Sequence, residues 1–87
     1  MDVRQVIGAN VRRYRLQADI TQARIAEIMG VDRAYISALE RGERNPTAIS
    51  LWHTAEALGI HIAALFDEQV TLAADETTRK RASKHGQ

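Results

Sequence analysis

The twenty-two residues from Thr21 to Gly42, TQARIAEIMGVDRAYISALERG, leave this chain little choice of local structure. The spacing predicts two short amphipathic helices joined by a tight glycine turn. Thr21 is placed to cap the first, its hydroxyl accepting a bond from a backbone N–H that has no partner within the helix. Ile25, Ala26 and Met29 then recur at i, i+1 and i+4, which is one face of a helix. Gly30 follows, the residue that enters the left-handed region without a side-chain clash. Val31 is expected to re-enter the core and Asp32 to cap the second helix, whose inward residues are Ile36 and Leu39. Ala26 is small where the two helices must cross closely.

The same reasoning extends along the rest of the chain. A first helix is expected over 3–18, with Val3, Ile7, Val11, Tyr14 and Ala18 as its inward stripe and Gly8 weakening it slightly. The second is expected at 22–29 and the third at 33–41, ended by Gly42. The loop 43–46 holds Pro46, the only proline. Thr47 should cap a fourth helix at 48–58, with Ala48, Leu51, Ala55 and Leu58 inward and Gly59 as its stop. A short fifth helix at 62–66 should close the core. Past Asp67 the pattern fades. Val70 and Leu72 can still pack, the span to Arg81 can form a sixth helix, and 83–87 should be mobile. This divides the chain into one domain at 1–68 and a carboxy-terminal extension at 69–87 with a basic tail.

Composition narrows the class. Eighty-seven residues leave room for a single core. With no cysteine there is neither a disulfide framework nor a thiolate zinc site. No apolar run approaches the ~20 residues of a membrane-spanning helix and no signal-peptide pattern is present, so a cytoplasmic protein is expected. Five glycines, one proline and apolar residues recurring at threes and fours read as all-α, a compact five-helix bundle. The net charge of +1 conceals a division. Residues 1–47 carry eight arginines against six acids, 48–78 carry five acids and no Lys or Arg, and 79–87 carry four basic residues. A basic amino-terminal half fits one face turned toward phosphate, although ordinary surface variation gives the same pattern.

The outer face of the third helix then holds Asp32, Arg33, Ala34, Tyr35, Ser37, Ala38 and Arg41. A short, rigidly held helix with such residues has the width of the DNA major groove. The 21–42 stretch resembles the phage-repressor and Cro (XRE-like) type of helix-turn-helix, with its pattern T-Q-x-x-L-A-x-x-x-G-V-x-x-x-x-I-S-x-x-E-x-G. The resemblance runs back to Val11 and Arg15 and forward through RNPTAISLWHTAEALGIHIAALF. The run DRAYIS…ER..RN resembles the small stand-alone regulators of bacterial restriction–modification genes. The resemblance implies the lambda-repressor-like fold and a sequence-specific DNA-binding transcriptional regulator of bacterial or phage type. Its recognition helix would be at about 32–41, and it would act as a homodimer on an inverted repeat.

Arg33 is the strongest base-contact candidate, since its guanidinium can bond a guanine O6/N7 edge in bidentate fashion. Ala34 and Ala38 stand where relatives often carry reading side chains and offer only methyl-sized surface. Ser37 lies on the same face. Tyr35 can bond phosphate, lay its ring against a base, or pack beneath the second helix. Asp32 is more a cap than a reader, because a carboxylate near DNA is repelled unless it accepts from cytosine N4. Gln22 matches the family glutamine that clamps a phosphate beside the helix amino-terminal amides. Thr21, Arg24, Arg41, Arg44 and Asn45 are further backbone candidates, and Arg12 and Arg13 are either distant phosphate partners or solvated charges. The resemblance also pairs Arg15 with Glu40, locking the first helix to the third.

The carboxy-terminal helices depart from the family. Ile49, Trp52, Ile62, Ala63 and Ala64 include positions where relatives often place polar residues, and so much apolar surface suits a two-fold homodimer. Ile49, Trp52, His53, Ile62, Ala63 and Phe66 are the interface candidates, with Trp52 and Phe66 as anchors. The alternative places Trp52 in the monomer core. His53 and Glu56 lie at i, i+3 with His61 nearby, but histidines on polar helix faces are mostly solvated, and no metal site is expected. No nucleophile–base pair or phosphate-cradling glycine loop is evident. The expectation is therefore double-stranded DNA as partner, with no enzyme activity, cofactor or small-molecule ligand. The alternative is an antitoxin-like or adaptor protein whose main partner is another protein.

Overall fold

The computed structural model describes residues 2–70 and contains, among them, four α-helices and one 3-10 helix. These are α1 (Val3–Gln17), α2 (Gln22–Met29), α3 (Arg33–Glu40), α4 (Ala48–Leu58) and the 3-10 segment Ile62–Phe66. Side-chain caps start three of them. Asp2 accepts from the Arg4 N–H at 2.8 Å, Thr21 from the Arg24 N–H at 3.0 Å and Thr47 from the Ser50 N–H at 3.0 Å. The α2–α3 turn forms as its residues require. Gly30 sits at φ 70°, and the Val31 N–H reaches back to the Ala26 carbonyl at 2.9 Å. Carbonyls that α2 cannot satisfy internally are thereby paired.

Packing follows the apolar stripes. α1 lies against α3, α4 and the 3-10 segment, while α2 packs on α3 and α4. Val11, Ile25, Ile36, Leu39 and Leu65, one or two from each of several elements, are wholly buried where these meet. Asn10 is buried with them and offers its amide nitrogen to the carbonyls of Val6, Leu65 and Asp67 at 3.1, 2.9 and 3.0 Å. It ties α1 to the carboxy-terminal end of the domain. Gly8 faces α3, where an added Cβ would lie 2.4 Å from the Leu39 carbonyl oxygen. By helix propensity this glycine weakens α1, whereas in the fold it permits α1 and α3 to approach closely.

Several expectations need correction. Among the described residues the bundle has four α-helices rather than five, because the segment 62–66 is a single short 3-10 turn. The segment is five residues long, Ile62–Phe66, and His61 before it makes no side-chain capping bond; 3-10 winding is a form taken by short pieces of this kind. α1 stops at Gln17 and α3 at Glu40, each one residue early. Val3 and Ala18, at the two ends of the α1 stripe, are exposed, as is Ala48 at the start of α4, since no neighbouring helix extends over them. Val31 does not re-enter the core and stays 36% exposed at the rim of the turn. Asp32 has the extended backbone of a cap residue, but its carboxylate makes no capping bond. Val70 is buried as expected. The packing of Leu72, the sixth helix reaching Arg81 and the basic tail all lie outside the described residues.

Candidate nucleic-acid interface

α3 is anchored from behind by Ile36 and Leu39 and presents its amino-terminal end outward. Asp32, Arg33 and Ala34 are exposed, while Tyr35, Ser37 and Ala38 are half-buried. Asp32, Ala34, Tyr35 and Arg44 line one open depression together with Gly30 and Val31 of the preceding turn. Three arginines, Arg12, Arg33 and Arg44, have no carboxylate partner among the described residues. Arg33 opens α3 and Arg44 lies in the loop after it, with Asn45 exposed beside Arg44.

The remaining candidates are engaged within the protein. Arg41 donates to the Ser37 hydroxyl and pairs with Glu43 at 2.9 Å. The hydrogen bond from Arg41 and its positive charge hold the Glu43 carboxyl below its ordinary range. Arg24 pairs with Glu27 at 2.9 Å, Arg13 with Asp67 at 3.6 Å, and the Thr21 hydroxyl is occupied as the α2 cap. Tyr35 is half-buried and packs against the core. Its hydroxyl lies 2.8 Å from the Ser50 hydroxyl on α4, and the Arg44 guanidinium sits over its ring at 4.9 Å.

Behind this face, Arg15 meets Glu40. Arg15 Nε donates to one carboxylate oxygen at 2.6 Å and Nη2 to the other at 3.1 Å, while Nη1 donates to the Ile20 carbonyl at 3.0 Å. Gln22 Nε2 adds a bond to Glu40 at 3.1 Å. The glutamine expected at a phosphate thus joins the Arg15–Glu40 ion pair, a partner that local spacing could not supply because Glu40 lies in a different helix. Ser50 was no candidate either, since nothing in local spacing links a residue of α4 to one of α3.

The apolar candidates of α4 and the 3-10 segment divide. Ile49 is 68% exposed, Trp52 55% and Phe66 43%, so Trp52 does not complete the monomer core. Trp52, Ile62 and Ala63 line one largely apolar depression with Ile60 and His61. His53 faces a second depression, beside Ile28 and Met29 of α2, and its Nδ1 lies 3.3 Å from Glu56. No group of three or more possible ligands poised for a metal ion occurs among the described residues, and none of their helices is long and apolar enough to cross a membrane.

Residues 11–65 match the helix-turn-helix family. An HTH-type transcriptional regulator of Sinorhizobium fredii, y4dJ, is 43% identical over 69% of this chain and 78% of its own length. The control protein C.SmaI of Serratia marcescens is 39% identical over 79% of this chain and 82% of its own. Among solved structures, the restriction–modification controller C.Esp1396I, crystallised as a tetramer with its natural 35 base-pair operator, superposes with a TM-score of 0.69. It is 28% identical, and the match covers 82% of this chain and 92% of that one.

Proposed function

This chain belongs to the XRE-type helix-turn-helix family and is a transcriptional regulator of that kind; we propose that it binds an inverted-repeat operator as a homodimer, with α3 in the major groove. The observation that carries the reading is that Arg33, exposed at the start of α3, and Arg44, stacked on Tyr35 of the same helix, are both free of carboxylate partners among the described residues. Arg33 supplies base recognition, while Arg44, Asn45 and the α2 amino terminus supply phosphate contacts and register. The operator-bound tetramer of C.Esp1396I supports the same use of this fold.

Dimerisation is assigned to the exposed face of α4 and the 3-10 segment, with Ile49, Trp52 and Phe66 as anchors. It sets two recognition helices roughly 34 Å apart, matching half-sites one DNA turn apart. Sedimentation equilibrium should give a dimer at tens of micromolar, and a monomer there would remove this part of the proposal. Activity is then set by protein concentration through dimer formation.

Selection of bound sites from random DNA, followed by mobility shift on the selected site, tests the whole reading. If about five phosphates per subunit are neutralised, log K should fall with log salt at a slope of roughly −9 for the dimer. A flat salt response, or a fixed second polypeptide that copurifies and masks α3, would favour a protein-binding role instead. Arg33→Ala should relax preference at one position in each half-site at a cost of about 1–3 kcal/mol. Gln22→Ala should weaken all sequences about equally, because its amide serves the backbone and the orientation of α3 rather than a base edge.

A further inference from the structure

Arg44 is held in place by a chain of contacts that begins in the core. Thr54, wholly buried, donates its hydroxyl to the Ser50 carbonyl at 2.8 Å, and the Ser50 N–H donates to Thr47 at 3.0 Å. Ser50 is therefore fixed at both its backbone groups. Its hydroxyl meets the Tyr35 phenol at 2.8 Å, across the whole α3–α4 loop. The Tyr35 ring, packed at its base against the core, then carries the Arg44 guanidinium at 4.9 Å from its centroid.

We propose that Ser50 is a positioning residue for DNA binding: through the Tyr35 phenol it fixes the ring on which Arg44 is stacked, so that this loop arginine is ordered before it meets the duplex. The inference rests on the DNA-binding reading above. Stacking engages only the flat face of a guanidinium and leaves its in-plane N–H donors free for phosphate or a groove edge. An unstacked loop arginine would have to give up its rotamer freedom on binding, a cost that the stack has already met. The arrangement differs from that of Arg24 and Arg41, whose donors face carboxylates of their own chain.

Two measurements test it. In the free protein, the ring current of Tyr35 should displace the NMR resonances of the Arg44 δ protons upfield. Ser50→Ala and Tyr35→Phe, each of which removes one hydroxyl and keeps the ring, should reduce that displacement while leaving the unfolding midpoint within error of the parent. On the selected DNA site, Ser50→Ala should bind roughly two- to tenfold more weakly, the range expected for ordering one long side chain. The same substitution placed in an Arg44→Ala background should produce no further loss. An unchanged Arg44 resonance in Ser50→Ala overturns the proposal, as does a loss of affinity that is equal with and without Arg44. A parent protein that shows the displaced resonance but binds no DNA overturns the DNA-binding reading while leaving the stacked assembly standing.

Discussion

Glu40→Ala is expected to cost about 3–5 kcal/mol of folding stability, the range for breaking a buried ion pair from one side. The Arg15 and Glu40 side chains are only 10% and 4% exposed, so neither charge can recover water when its partner is removed. Without the carboxylate, Arg15 keeps one bond, to the Ile20 carbonyl, and Gln22 loses its acceptor as well. For a domain of this size each kcal/mol lowers the melting temperature by about 4–8 °C, so the variant should melt at least about 12 °C below the parent. Urea unfolding with an unchanged m-value and a lowered midpoint would assign the loss to the folded state. Replacing both partners together, as Arg15→Met with Glu40→Leu, should cost much less than Glu40→Ala alone, because no charge is then left buried. A Glu40→Ala protein as stable as the parent would mean that the pair is solvated and does not orient α3.

Gly8→Ala should also destabilise, against the direction of helix propensity. Alanine is favoured over glycine inside a helix by about 1 kcal/mol, and on that ground alone the change would help. The new methyl, however, would lie 2.4 Å from the Leu39 oxygen, 2.7 Å from the Glu40 oxygen and 2.9 Å from the Glu40 carbonyl carbon. All three are backbone atoms and cannot swing aside, so α1 must move away from α3. Overpacking of this kind typically costs about 1–3 kcal/mol and occasionally more, and with three backbone contacts the upper end is expected. Chemical denaturation measures the sign directly, and a stabilised Gly8→Ala protein would show that the helices approach less closely than described. Because Gly8 and Arg15 both face α3, the displacement should strain the Arg15–Glu40 pair too, and the two variants should combine non-additively.

Both predictions concern contacts that bring α1 to the end of α3, and the sequence revealed them unequally. The Arg15–Glu40 pair was legible through resemblance to a family, not through spacing. Gly8 carried a signal that was misread: an interior helix glycine is costly enough that some close approach should have been sought. Tyr35 was left with three possible uses because its neighbours in the chain do not decide among them. Its actual partner, Ser50, is on the far side of a loop, and Gln22 was likewise expected at a phosphate while its amide is bonded to Glu40.

What the chain's own order of residues determined was local: the caps at Thr21 and Thr47, the left-handed turn at Gly30, and the inward positions Ile25, Ile36, Leu39, Leu51 and Leu58, all written in relations spanning a few residues. Tertiary structure alone decided that Val3, Ala18 and Ala48 are exposed, that Trp52 faces outward, and that Arg15 of α1 meets Glu40 of α3. The reason is physical. Hydrogen bonding and backbone sterics within a turn act between near neighbours, but burial and ion pairing depend on where another helix ends, and that is settled only when all the helices have packed.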